Sequence, residues 1–287
     1  MKILTELEIK ENVNTFHGMS PEQQQKLRME NWYFILELSS IIGYHISKHT
    51  VSAAMLLTSF FYVKKDYLEY DRLQVWTAAL FYASKLFNEL RRIDYYILAY
   101  HKMLNKMEGI ENPPPLEEMD KEDICKGLLH TELTIAKVMF ENEGDVIGND
   151  LPYSYIVKYS TSMFSTEDWR KLIPYVTGYI NDTFFTTLPL LFDSKEIALA
   201  CVLISMQQLD IKINLIDESK WYRMVSEHWE FEDVLDWIKH ISQFYIQHKL
   251  KEEEISEAVK TEWQKDSDHM ENPESHKAEC SPDKTIN

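Results

Sequence analysis

Glycine is scarce in this chain: seven residues in 287, with no two closer together than Gly144 and Gly148. That spacing excludes a GxGxxG fingerprint and a Walker loop, since both need clustered glycines to bring backbone N–H groups onto phosphates. Cysteines are few and odd in number, and no CxxC pair occurs. Cys125 and Cys201 fall inside helical patterns and read as small core residues of a reducing compartment. Long apolar runs are missing too. The longest uncharged run, Thr50 to Val63, is short of the ~20 residues that span a bilayer. The opening "MKILTELEIKENV" has no apolar stretch of signal-peptide length, so an intracellular, soluble protein is expected. Positive charge is the last shortage. Thirty Lys and Arg stand against 47 Asp and Glu, a net charge of −17 with a pI near 5.0. Such a chain repels a phosphate backbone, and Lys64-Lys65 and Arg91-Arg92 are too short to form a nucleic-acid patch.

Catalytic constellations are lacking as well. There is no HExxH, no Glu-x-x-His and no GxSxG, and no Ser/His/Asp set can be picked out. His45 and His49 are four apart, but "GYHISKH" follows a helix end and reads as a loop with surface histidines. With so many acids, pairing any two as general acid and base is arbitrary, and solvated faces are the expectation. No catalytic residue, cofactor or metal is expected.

What is present is a series of legible helices. "SPEQ" offers Ser20 as N-cap, Pro21 at the first helical position and Gln23 for a capping box, with Gly43 closing that helix. A second helix is predicted over about 50–63. Asp71 with Gln74 opens a third, placing Val75, Ala79, Tyr82 and Leu86 on one face. A fourth covers about 91–106. The prolines of "GIENPPPLEE" then break the chain, and a fifth helix runs over about 120–140. After "ENEGDVIGND" the pattern begins again. Pro152 opens a helix to about 163, and Ser165 caps another that Pro174 restarts and that ends near 188–189. Asp193 opens one to about 209, Trp221 heads a short turn, and Phe231 begins a last helix to about 249. Beyond about 265 the acidic tail is too poor in apolar residues to fold.

The second half repeats the first. "YDRLQVWTAALFYASKL", 70–86, aligns with "FDSKEIALACVLISMQQ", 192–208, an offset of 122 that carries Asp71 onto Asp193. Val75 then meets Ile197, Ala78 meets Ala200, and Leu80 meets Val202. These are the third helices of two five-helix sets, and their small residues place them at the centre of each. Lys85, at the end of the first, meets Gln207 in the second. The packing pattern occurs twice but the charge only once, so the lysine is an addition to the first unit.

Tandem five-helix units with a lysine ending the third helix describe the cyclin box. The stretch "FFYVKKDYLEYDRLQVWTAALFYASKLFNELRRIDYYI", 60–97, resembles the second-to-fourth helix region of the transcriptional cyclins, the T, K and L types. "LPYSYIVKY", 151–159, is similar to their His-Pro-initiated helix, with Leu151 for the histidine. "NDTFFTTLPLLF", 181–192, and "WYRMVSEHWEFEDVLDWI", 221–238, resemble segments of their second box. The resemblance covers about 25–248. It implies an all-α fold: an N-terminal helical or extended segment (1–19), a first, kinase-binding cyclin box (20–145), a second box (146–249), and a helix extension with a disordered acidic tail (250–287).

The same resemblance implies function. Cyclins bind a cyclin-dependent kinase and push its glutamate-bearing helix inward, completing the Lys–Glu pair of the ATP site. Two family residues grip that helix, and the matching positions are Lys85 and Glu132. The chain is thus expected to be a nuclear, non-catalytic regulatory subunit of a serine/threonine kinase in RNA polymerase II transcription. It is expected to form a heterodimer without direct nucleic-acid or membrane contact. The sequence departs from the family at Phe87-Asn88, where two acids are usual, and at Ser59, where an arginine is common; Arg28 is off by about two positions from an arginine of the first helix. These departures keep open an alternative, a cyclin-fold scaffold that no longer activates a kinase. Cyclin-fold general transcription factors that contact DNA are disfavoured by the charge.

Overall fold

Four of the helix starts anticipated from capping chemistry are realised as written. The structure, a computed structural model, describes residues 4–43, 46–110, 114–141 and 151–211, with the single position 242. By contacts the chain divides into Met1–Tyr245 and Ile246–Asn287, and everything described lies in the first. Two short helices, α1 (Glu6–Lys10) and α2 (Val13–Phe16), lead into α3 (Pro21–Ile42), α4 (Lys48–Lys64), α5 (Arg72–Leu86), α6 (Ile93–Met107) and α7 (Glu118–Glu141). Then follow α8 (Pro152–Met163), α9 (Thr166–Thr183), α10 (Leu188–Leu191) and α11 (Ser194–Leu209).

The caps explain these boundaries. Ser20 and Gln23 form a reciprocal box at α3, as do Asp193 and Glu196 at α11. Asp71 accepts from Gln74 N at 2.8 Å to open α5, and Ser165 accepts from Asp168 N to open α9. Each satisfies an N–H that has no partner within the helix. At the end of α3 Gly43 takes φ 113°, a value costly for any residue with a Cβ.

Three expectations need correction. Helix α4 starts at Lys48, because Ser47 Oγ caps Thr50 N, so His49 lies in a helical turn rather than a loop. Pro174 does not restart a helix but sits inside the continuous α9. Its missing N–H deprives the Arg170 carbonyl of a bond, yet both residues lie on the exposed face, where water can take its place. Helix α9 also stops at Thr183, short of Leu188. There Thr183 Oγ1 donates to Ile180 O, and Thr186 Oγ1 donates to Thr183 O while accepting from Leu188 N. These side-chain bonds compete with the helical ladder and turn the chain. Phe184 and Phe185 then drive inward onto Trp32, with ring centroids 6.3 and 5.3 Å away.

Helix α5 is the centre of the first set, packing against α3, α4, α6 and α7. Ala78, Ala79 and Leu80 are fully buried, and the alanines allow the close approach that a surrounded helix requires. At Gly127 of α7 a Cβ would meet the amide end of the Gln74 side chain at 2.0 Å, so a larger residue there would displace that flexible side chain. Helix α11 has the corresponding place among α8, α9 and α10, and Ile197 to Val202 are buried without a break. Apart from position 242, the last helix (231–249) falls outside the described residues, as do the Trp221 turn, the tail, His45 and Cys280. No described helix is long and apolar enough to cross a membrane.

Several side chains tie the N-terminal segment to the rest, Asn12 to Gln24 and His17 to Asp66 among them, and Asn14 makes the most bonds. Asn14, almost wholly buried, donates to Tyr62 O and Lys65 O and accepts from Tyr67 N. Further back, Leu4 is buried and its N–H donates to Leu190 O on α10 at 2.8 Å. Tyr153 on α8 links the two sets of helices: its hydroxyl donates to Asn181 Oδ1 on α9 and accepts from Ser52 on α4.

Candidate functional site

The site is built where α5 runs out of the core. Of the predicted face, Val75 and Ala79 are buried and Tyr82 is half-buried, but Leu86 is 42% exposed. One position earlier, Lys85 leaves the helix in its last turn and meets Glu132 of α7. Its Nζ donates to Oε1 at 2.6 Å and to Oε2 at 2.8 Å. The partners are 47 positions apart in sequence and were assigned by resemblance alone; the fold brings them together.

Their exposures differ. Lys85 is 37% exposed and Glu132 only 12%. The carboxylate is therefore the buried anchor, and burial followed by its charge pushes the neighbouring Tyr82 phenol up. Beneath the ammonium lies the ring of Phe81, its centroid 4.1 Å from Nζ. Two N–H groups reach the carboxylate, so a third remains for an acceptor from outside. An ion pair this exposed adds at most ~1 kcal/mol to folding.

The end of α5 is braced from three sides. Ser84 Oγ donates to Phe81 O, and the buried Tyr96 of α6 donates to Ser84 Oγ at 2.8 Å. Glu89 N donates to Ser84 O at 2.8 Å, which requires Asn88 to take φ 56°. Asparagine tolerates that left-handed conformation better than most residues. Glu89, one position further on, accepts from Ser47 N at 2.8 Å and Thr50 Oγ1 at 2.7 Å. A carboxylate thus still sits in this turn, fixed to the N-terminus of α4 where the helix dipole favours it.

Exposed apolar side chains occur on both sides of the pair in sequence. Leu86 ends α5 and Leu90 follows it, and Leu129 and Leu133 flank Glu132 on α7; all four are more than 40% exposed. Residues three and four apart on a helix share a face, so Leu129, Glu132 and Leu133 present one surface. Sequence reading missed Phe81, Glu89 and Tyr96. Phe81 lies four residues before Lys85 and was open to discovery from helical spacing, whereas nothing local links Glu89 to α4.

The other sequence candidates are placed as follows. His49 packs its ring on Tyr153, with centroids 5.5 Å apart. Ser59 is half-buried on α4. Cys201 is a buried free thiol, its pKa pushed far up by burial and then by the Asp182 charge. Among the described residues no three His, Cys, Asp or Glu side chains gather as a metal site would require.

No family model matches the chain. It is 21% identical over 238 residues to human cyclin-K, covering 81% of this chain and 38% of that one. It is 22% identical over 207 residues to putative cyclin-T1-1 of Arabidopsis thaliana, covering 72% of this chain and 78% of that one. To cyclin-L1-1 of Oryza sativa subsp. japonica it is 23% identical over 204 residues, 69% of this chain and 44% of the relative. The chain thus spans less than half of the K and L relatives. Among solved structures it is similar to a chain of the yeast RNA Pol II CTD kinase CTDK-1 complex, with TM-score 0.62, 15% identity and coverage of 86% and 73%. A second likeness, to a chain of the CAK complex of Chaetomium thermophilum, has TM-score 0.51, 12% identity and coverage of 97% and 100%. The chain resembles the transcriptional cyclins of the K, T and L types, and its fold is the all-helical cyclin-box fold.

Proposed function

We propose that this chain is the regulatory subunit of a cyclin-dependent serine/threonine kinase acting in RNA polymerase II transcription, that it works in the nucleus, and that it binds the kinase through Lys85 and Glu132. The observation that carries the reading is the ion pair on the exposed edge of α5 and α7, with Leu86, Leu90, Leu129 and Leu133 exposed at the end of α5, in the turn after it and on α7. A half-exposed ammonium with one N–H to spare, held by a buried carboxylate and an aromatic face, is preorganised to donate to a partner's backbone carbonyl. The exposed leucines supply apolar area to exclude water from that contact. Relatives named cyclin and a fold shared with a chain of a CTD kinase complex support the kind of partner. In this reading the chain performs no chemistry and completes the kinase's active site by position. The two-box division, 20–145 and 146–249, belongs to the same proposal.

Purifying the tagged full chain from its native cell tests this directly. A protein kinase should co-purify stoichiometrically, and adding the chain to that kinase should raise phosphorylation of an RNA polymerase II C-terminal repeat peptide. Absence of any kinase would overturn the reading. Binding without activation would favour the scaffold alternative, for which the non-acidic Phe87-Asn88 turn is the specific motive.

A further inference from the structure

A cavity of about 330 Å³ lies between the two sets of helices and includes no residue of the Lys85–Glu132 edge. Trp32 and Leu36 of α3 and Lys48 of α4 line it from the first set, and Tyr153 of α8, Asp182 of α9 and Phe185 line it from the second. The rings are fixed by one another. Phe185 meets Trp32 edge-on with centroids 5.3 Å apart and stacks on Tyr33, while Tyr153 stacks on Phe184 and touches the His49 ring. Trp32, Tyr153 and Phe185 are buried, whereas Leu36 and Lys48 are exposed and mark the opening.

The polar groups of the lining include both donors and an acceptor. The Tyr153 hydroxyl is taken up by Asn181 and Ser52, and burial above all pushes its phenol up to about 12, so it stays neutral. Asn181 uses its Oδ1 in that bond, and its amide N–H groups have no acceptor among the described residues. Lys48 has no ion-pair partner among the described residues, and the first turn of α4 disfavours a cation, so the helix does not account for it. Asp182 brings a carboxylate, whose two oxygens can accept more than one bond. A lone anion entering here is repelled by Asp182, and a lone cation by Lys48. A peptide group is neutral and offers one N–H and one C=O, so it satisfies both. Fixed rings beside it favour a large apolar side chain, which displaces water from them. Ligand pockets span ~300–1,000 Å³, and a cavity at the small end has room for one anchoring residue.

We propose that this cavity is a docking site for an extended segment of a partner protein, which sets one large apolar side chain against Trp32 and Phe185 while its main chain bonds to Lys48, Asn181 and Asp182. The site is independent of the kinase reading, since it shares no residue with the Lys85–Glu132 edge.

The test is an NMR titration of the isotope-labelled full chain, following the Trp32 indole N–H as N-acetyl-L-leucinamide is added. That probe is one apolar residue between two peptide groups. N-acetylglycinamide has the same main chain without the side chain, and sodium acetate and tetramethylammonium chloride supply the single charges. The Trp32 signal, assigned by its loss in Trp32→Phe, should shift saturably with the leucine amide and with none of the other three. Lys48→Ala removes an exposed side chain and should leave the fold intact. It should weaken binding by about 3- to 10-fold, the effect of one hydrogen bond. A Trp32 signal that does not respond, which a cavity filled by another part of this chain would also give, overturns the site. So does saturation by acetate or tetramethylammonium, which would mark an ion site, an equal response to the glycine amide, or a Lys48→Ala affinity equal to the wild type.

Discussion

Helices α5 and α11 are built alike and end alike, yet only α5 carries a lysine in its last turn. At the offset of 122, buried Val75, Ala78, Ala79 and Leu80 meet buried Ile197, Ala200, Cys201 and Val202. The likeness extends to the backbone. The non-glycine residues with positive φ among those described are Asn88, at 56°, and Asp210, at 51°, and they stand at the same offset. Glu89 N to Ser84 O and Ile211 N to Met206 O are likewise one bond occurring twice. The difference lies on the surface: Lys85 holds Glu132, while Gln207 is an exposed amide and its neighbour Gln208 bonds to Tyr179. Packing was kept because a central helix has little freedom in its core residues; the exposed last turn was free to differ. A residue present in one copy and absent from the other, on a shared scaffold, is where function is best sought.

The sharpest break of this comparison is a pair of truncations. Lys85→Ala should weaken affinity for the co-purified kinase by roughly thirty- to several-thousand-fold, since losing one member of a buried charged contact costs ~2–5 kcal/mol. Gln207→Ala should change it less than about two-fold, and both variants should melt within a degree or two of the parent, given the small worth of exposed pairs. Equal affinities for the two would refute the assignment of Lys85. Next in size, Ala78→Leu and Ala200→Leu should each cost ~1–3 kcal/mol by overpacking, measured by urea unfolding. A large loss in one and none in the other would mean that the two helices are not equivalently enclosed.

Glu89→Gln should cost about 1 kcal/mol, because a charged acceptor is lost from the N-terminus of α4. The matching position holds Ile211, so this brace belongs to the first set alone, and a stability unchanged by the substitution would deny it that role. The smallest effect is expected at the shared turn. Asn88→Gly and Asp210→Gly relieve left-handed strain but add unfolded-state entropy, leaving a gain below ~1 kcal/mol of the same sign in both. Opposite signs would show that the turns differ in more than sequence.

Much of the scaffold was legible because helix signals are local. Ser20 and Gln23, or Asp193 and Glu196, satisfy N–H groups three residues away, and no distant part of the chain decides whether they do. Pro174 misled for the same reason in reverse. A proline inside a helix is a local penalty, and whether it is tolerated depends on the face it occupies, which burial determines. The end of α9 turned on Thr183 and Thr186, whose hydroxyls can either solvate or bond the backbone, and on Trp32 waiting for Phe184 and Phe185 from another helix.

By itself the sequence determined an all-helical chain with repeated central helices, and it excluded phosphate loops because it lacks the glycines for them. Family likeness marked Lys85 and Glu132, but their meeting is tertiary. It needs α7 to pack along α5, and it needs the turn at Asn88 to end the helix at exposed Leu86. The bracing of that turn by Glu89 on α4, the Phe81 ring under the ammonium, and the unpaired Nε of Arg28 were likewise decided only by folding. The physical reason is common to all of them. Capping and periodicity act over three or four residues, whereas charge pairing, ring contact and an unsatisfied donor depend on which distant groups the packed core carries into reach.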